Sequence, residues 1–140
     1  MTRTLLVVDD EPGVANGLAA LFRRRGYDVR VALTAQMALN LVREVRIDGA
    51  IIDFLIPDMR GDVLFAAAVA IQPHLETHTV FLTGDISDAA LTALSEHGAH
   101  IVLKPFDVPE FERIVAEVID SASDVDDRDS RGGSAAAGGG

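Results

Sequence analysis

The sequence contains no cysteine, and that absence removes disulfides, thiolate metal sites and thiol nucleophiles from consideration. Its longest apolar run, Val63 to Ile71, is far shorter than the roughly 20 residues that a membrane-spanning helix needs. Acidic residues follow the N-terminal apolar run Leu5-Val8 almost at once, which is not the pattern of a signal peptide. Positive charge is scarce: 12 Lys and Arg face 22 Asp and Glu, for a formal net charge of −10. Non-specific binding to nucleic acid depends on neutralising phosphates with Lys and Arg, so no direct nucleic-acid contact is expected. The one basic cluster, Arg23-Arg24-Arg25, reads as a solvated helix end whose cations complement the macrodipole. The expectation is a cytoplasmic protein without membrane insertion.

What the 140 residues do contain is enough apolar character, 49%, to build one core. Short apolar runs recur at Leu5-Val8, Ala50-Ile52, Val80-Leu82 and Ile101-Leu103, and Tyr27-Val31 alternates apolar with polar. Stretches of helical spacing lie between them. Val14, Leu18, Leu21 and Phe22 share one face, as do Phe111, Ile114, Val115, Val118 and Ile119. Pro12 suits a first helical position, Thr34 an N-cap, and Asp107 with Glu110 a capping box. Five strands alternating with helices predict an α/β fold, (βα)5, with a parallel sheet covered on both faces. The alternating second strand belongs at an edge. The fifth would also be an edge in the order 2-1-3-4-5, yet it reads continuously apolar, so pattern alone leaves the order open.

Beyond Ser121 large apolar residues almost vanish. The expectation is one domain over residues 1–121 and a flexible acidic, Gly/Ala-rich tail or linker over 122–140. The stretch Leu64-Phe65…Ala70-Ile71 reads as a buried helix face. His74, His78, His97 and His100 lack a metal-ligand spacing that converges on the acids, and read as surface or strand-edge residues.

Four of the five strand candidates run into a chemically active residue. Asp9 and Asp10 follow the first, Asp53 the third, Thr83 the fourth and Lys104 the fifth. In an open parallel sheet these ends share one rim, which is where ligands bind. Three carboxylates in one crevice repel, and a hard divalent cation relieves them; magnesium suits best because it takes a few carboxylates and pairs with phosphate. A carboxylate beside such a cation can act as a nucleophile and form an acyl phosphate. An ammonium and a hydroxyl are fit to neutralise and bind the oxygens of a phosphoryl group in transfer.

With Leu5-Leu6-Val7-Val8-Asp9-Asp10-Glu11-Pro12, Asp53-Phe54-Leu55-Ile56-Pro57-Asp58-Met59-Arg60-Gly61, Thr83-Gly84 and Gly98-Ala99…Lys104-Pro105-Phe106, the chain resembles the receiver domains of two-component signalling from about Thr2 to Ser121. The resemblance implies a flavodoxin-like sheet in the order 2-1-3-4-5. It implies that Asp53 is the phosphoacceptor, and that Asp9, Asp10, Asp53 and the backbone carbonyl of Leu55 hold Mg2+. It further implies that Thr83 turns toward the phosphoryl group, that Lys104 pairs with it, and that the Lys104-Pro105 bond is cis. The resemblance also implies that Leu55 and Asp85 flank the approach of a hydrolytic water and tune phosphoryl lifetime. The donor would be a histidine kinase or histidine phosphotransfer protein, and the output a contact with a downstream protein. Such a chain is no enzyme beyond its own phosphoryl transfer and autodephosphorylation.

One departure stands out. Three positions before the lysine, where many receivers carry an aromatic residue, this chain has Ile101, and Ala99–Lys104 is one residue shorter than usual. An output that relies on rotation of that aromatic ring is therefore not carried over. Competing functions fit less well. A phosphohydrolase resembling the haloacid dehalogenases would need Asp-x-Asp after the first strand, where Asp9-Asp10-Glu11 stands. A nucleotide or flavin binder would need a Gly-rich loop there, and Glu11-Pro12-Gly13-Val14 has one glycine. A receiver-like docking module independent of phosphorylation is the remaining alternative.

Overall fold

Each apolar run forms a strand, and each strand extends a residue or so beyond the run. In the computed structural model, which describes residues 2–84, 92 and 100–121, β1 spans Thr4–Val8, β2 Asp28–Ala32 and β3 Gly49–Asp53. A short hairpin follows, β4 Leu55–Ile56 against β5 Met59–Arg60, and then β6 Thr79–Thr83 and β7 His100–Leu103. The helices whose ends lie among the described residues are α1 Pro12–Arg24, α2 Ala35–Glu44, α3 Gly61–Ile71 and α4 Val108–Ala116. A 3-10 helix, Pro73–Thr77, leads into β6, and α4 runs on into a π-helical turn, Glu117–Ser121. Asp85, His97, the Gly98-Ala99 pair and the tail 122–140 lie outside the described residues.

The main sheet has the order β2-β1-β3-β6-β7, with every pair parallel. With the hairpin set aside, this is the flavodoxin-like order 2-1-3-4-5. It also answers the question that pattern left open. β7 is an edge strand despite its apolar run, and Leu103 is 43% exposed there.

Strand side chains alternate between two cores. Leu6, Val8, Ile52 and Phe81 face α2 and α3, where Leu39, Val42, Leu64 and Phe65 close over them. Leu5, Val7, Ile51, Val80 and Leu82 face α1 and α4, against Leu18, Phe22, Phe111 and Val115. Burial on both faces is why the central strands read as unbroken apolar runs. The helix starts follow local chemistry. Pro12 opens α1, Thr34 Oγ1 accepts the Met37 N–H at 3.1 Å, and Asp107 accepts the Glu110 N–H at 3.1 Å. Gly26, at φ 98°, turns the chain from α1 into β2, a conformation other residues resist. Arg23, Arg24 and Arg25 are exposed at the end of α1 as expected.

Two readings are corrected. Within α3, Leu64, Phe65 and Ala68 are buried, whereas Ala70 and Ile71 are exposed, because they close the helix where its cover ends. His78 is buried rather than a surface residue: it follows the 3-10 helix and its Nδ1–H donates to the His74 carbonyl. No described helix is long and apolar enough to cross a membrane.

Candidate functional site

β1, β3, β6 and β7 are parallel, so their C-terminal ends bring Asp9, Asp53, Thr83 and Lys104 to one rim. The backbone ties these ends together. The Asp9 N–H donates to the Ala32 carbonyl at 3.2 Å, Phe54 N–H to Leu82 at 2.8 Å, and Lys104 N–H to Thr83 at 2.8 Å. Strand pairing thus continues one step past the strands, and the polar side chains are held by a rigid frame.

Asp9, Asp53 and Thr83 are buried, and Asp10 is exposed beside them. Carboxylate oxygens of Asp9, Asp10 and Asp53 all lie within 4.8 Å of one another. Lys104 Nζ donates to Asp9 Oδ2 at 3.2 Å and to Asp53 Oδ2 at 3.3 Å, bridging strands far apart in sequence. The remaining oxygens have backbone donors: Glu11 N–H reaches Asp9 Oδ1 at 3.0 Å, and Leu55 N–H reaches Asp53 Oδ1 at 3.3 Å. The Lys104-Pro105 bond is cis.

Electrostatics here are a contest between burial and pairing. Burial pushes the Asp53 carboxyl above the usual carboxylate range; the Lys104 charge opposes this, the Asp9 charge adds to it, and the upward push prevails. Burial alone would lower the Lys104 ammonium, but the Asp53 and Asp9 carboxylates outweigh it and hold the pKa above its ordinary value. The site carries a fixed ammonium and a surplus of negative charge, which a divalent cation would balance.

The segment after Asp53 is shaped by close packing. Gly61 N–H donates to the Phe54 carbonyl at 2.7 Å, and a Cβ on Gly61 would stand 2.8 Å from both the Asp53 oxygen and the Phe54 Cα. Leu55, within this hairpin, is 52% exposed at the rim. Arg60 grips Asp62 with two bonds of 2.7 Å and lies 5.5 Å above the Phe54 ring. The Asp62 carboxyl is held below its usual range, chiefly by that bond from Arg60. Ile101 is half-buried in β7 and packs against the α2–α3 core.

Sequence reasoning missed Asp58. It lies at the hairpin tip, and its carboxylate accepts the N–H groups of Ala35 at 3.0 Å and Gln36 at 3.1 Å. Only its position in a Pro57-Asp58 turn was visible, because the helix it caps precedes it by more than twenty residues.

Residues 5–116 match the family described as the response regulator receiver domain. A response regulator receiver protein of Anaeromyxobacter sp. (strain Fw109-5) is 35% identical over 108 residues, which is 76% of this chain and 44% of that protein. The DNA-binding response regulator MtrA of Mycolicibacterium smegmatis is 32% identical over 107 residues, 76% of this chain and 46% of its own. The chain therefore spans less than half the length of these two curated relatives. Among solved structures, a response regulator of Burkholderia pseudomallei with a phosphorylated aspartic acid, calcium ion and citrate superposes with a TM-score of 0.72. It is 31% identical, with 89% of this chain and 71% of that one covered. The CheY-like receiver domain protein of Methanospirillum hungatei JF-1 reaches a TM-score of 0.82 at 23% identity, covering 89% and 98%, a likeness of fold. The family match runs through every strand end that builds the rim, from Asp9 to Lys104, and the chain belongs to the response regulator receiver domain family.

Proposed function

We propose that Asp53 accepts a phosphoryl group from a phosphohistidine on a histidine kinase or histidine phosphotransfer protein, and that the modified chain signals through contact with a downstream protein. The observation that carries this reading is the Lys104 bridge, one ammonium shared between two buried carboxylates at 3.2 and 3.3 Å on a rim open to a partner.

An Asp53 carboxylate oxygen attacks phosphorus, and the bond from phosphorus to the histidine nitrogen breaks. The departing imidazole keeps that electron pair, and Asp53 becomes an acyl phosphate. The protein mainly positions charge. Lys104, already 3.3 Å from Asp53, pairs with the transferred oxygens, and the Thr83 hydroxyl at the end of β6 donates to them. Asp9, Asp10, Asp53 and the Leu55 backbone carbonyl would hold magnesium. The donor set fits it, being hard oxygens with three carboxylates inside 4.8 Å. When bound, the cation neutralises charge on the phosphoryl oxygens. The Burkholderia structure, with its phosphorylated aspartic acid and calcium ion, supports the reading by likeness.

Intact mass after incubation with a small acyl-phosphate donor, with and without magnesium, tests it beside Asp53→Ala. The expected result is a single phosphoryl addition that requires both magnesium and Asp53. No addition from that donor or from several histidine kinases or phosphotransfer proteins would replace the reading with a docking module independent of phosphorylation.

A further inference from the structure

The hairpin that carries Leu55 is poorly able to hold its own shape. Its strands are two residues each, pairing Leu55 with Arg60 and Ile56 with Met59, and so short a ribbon has little stability alone. Its turn, Pro57-Asp58, is a two-residue connection, for which types I′ and II′ match the strand twist; both need a positive φ. No described non-glycine residue has one. The turn therefore works against the twist of the ribbon and needs outside support.

Ile56 is buried in the α2–α3 core and Met59 packs against it, and polar support comes from two ends. At the base, Gly61 N–H closes onto the Phe54 carbonyl at 2.7 Å. At the tip, the Asp58 carboxylate spans to the start of α2, with Oδ1 on the Ala35 N–H and Oδ2 on the Gln36 N–H. The first turn of α2 has no acidic residue of its own, so Asp58 also supplies the negative charge that a helix N-terminus favours. The other N–H groups of that turn are met locally: Met37 by Thr34 Oγ1 at 3.1 Å and Ala38 by the Thr34 carbonyl at 3.1 Å. Thr34 caps the helix without touching the hairpin bonds, whereas Asp58 joins helix and hairpin.

We propose that Asp58 is a positioning residue for the cation site: by tying the Leu55–Arg60 hairpin to the N-terminus of α2, it holds the backbone around Leu55 ready for a divalent cation. The inference rests on the reading of Asp9, Asp10, Asp53 and the Leu55 carbonyl as the ligand set.

The test is magnesium titration of the full chain by calorimetry, without any phosphodonor, on wild type, Asp58→Ala, Asp58→Asn and Thr34→Ala, paired with amide hydrogen exchange across Leu55–Arg60. Loss of a group bonded directly to a ligand lowers metal affinity about 10- to 100-fold, and Asp58, which acts through the hairpin backbone, belongs at the low end of that range. Asp58→Ala is expected to weaken magnesium by about tenfold and to speed exchange in the hairpin. Asp58→Asn keeps one acceptor oxygen and should fall between Ala and wild type; it also serves should the Ala variant not fold. Thr34→Ala removes a cap from the same helix end and should leave affinity at the wild-type value. Wild-type affinity in both Asp58 variants, or equal loss in Thr34→Ala and Asp58→Ala, would overturn the proposal. A wild-type chain that binds magnesium but takes no phosphoryl group would defeat the acceptor reading alone, with Asp58 still judged on affinity. No magnesium binding by wild type would overturn both.

Discussion

Lys104 Nζ stands 3.3 Å from Asp53 Oδ2, and Lys104 is the only lysine in the chain. The same ammonium reaches Asp9, whose side chain is almost fully enclosed. Lys104→Met leaves two buried carboxylates without their cation. Breaking a fully buried pair costs about 3–5 kcal/mol, and Lys104 keeps 24% of its side chain exposed. We expect a loss of about 2–3 kcal/mol in cation-free urea unfolding. Magnesium supplies positive charge in place of the ammonium, so the deficit should shrink when the cation saturates, and the variant should bind magnesium more tightly than wild type. An equal deficit with and without magnesium would show that the cation does not meet these carboxylates.

Asp53 gives a pH dependence of definite sign. Its pKa lies above the ordinary 3.8, chiefly through burial, so the folded chain holds that proton more tightly than the unfolded chain. Stability from this group is complete below the unfolded pKa and is lost as pH rises through the folded one. At neutral pH the ionised carboxylate is a net cost, which Asp53→Asn removes. In cation-free buffer the Asn variant should melt a few degrees above wild type at neutral pH, and the gap should close as pH falls below 3.8. A gap that persists in acid would assign the gain to something other than ionisation.

Gly61 and Gly49 both lack room for a Cβ, but against different neighbours. At Gly61 the obstacles are the Asp53 oxygen and Phe54 Cα, both 2.8 Å away and both backbone. At Gly49 the nearest atoms, at 2.6 and 2.7 Å, are Cγ1 and Cδ1 of the Ile119 side chain, with the His78 carbonyl at 3.1 Å. A core side chain such as Ile119 can shift by local repacking, whereas the backbone of a strand end cannot. Gly61→Ala should therefore cost more than Gly49→Ala, about 3 kcal/mol against about 1 kcal/mol within the usual range for overpacking. Gly61→Ala should also weaken magnesium, because the clash displaces the hairpin base next to Asp53. Chemical unfolding and magnesium titration of the two variants check the order, and the reverse order would contradict the packing argument.

The strands and their chemical ends were legible because burial on both faces writes an unbroken apolar run, and because parallel strands deliver their C-terminal residues to one side. Asp9, Asp53, Thr83 and Lys104 could be gathered on one rim on that basis alone. Sheet order was less legible. Ile101-Val102-Leu103 looks like a central strand, yet it forms an edge where Leu103 stays 43% exposed. Spacing likewise groups Ile71 with Leu64 and Ala68, but a periodic pattern does not show where a helix outruns its cover. His78 was misread because a lone histidine beside Thr77 and Thr79 looks polar, while its burial depends on a bond to the His74 carbonyl four residues back. Asp58 was invisible for a similar reason: local capping can be read from spacing, and capping across 22 or 23 residues cannot.

Gln72 shows what such long-range caps are worth. Its Oε1 accepts the Ile47 N–H at 3.0 Å, while its Nε2 donates to the carbonyls of Val42 at 2.7 Å and Val45 at 2.8 Å. One carboxamide thus closes the C-terminus of α2 and the loop into β3. The His74 ring independently donates Nε2–H to the Ile47 carbonyl at 2.6 Å, so losing Gln72 should loosen the loop without detaching it. A buried polar group without its partner costs about 1–3 kcal/mol. Three groups are affected, each in a partly buried bond, and we expect Gln72→Ala to lose about 2–3 kcal/mol in urea unfolding. Gln72→Glu is the sharper comparison. It preserves size and the acceptor for Ile47, but it turns a carboxylate toward two carbonyl oxygens in place of an N–H donor. It should therefore be no more stable than Gln72→Ala at neutral pH, and should recover part of the loss in acid, where the carboxyl is protonated and can donate. A Glu variant as stable as wild type at neutral pH would mean that water, not the carboxamide, closes the end of α2.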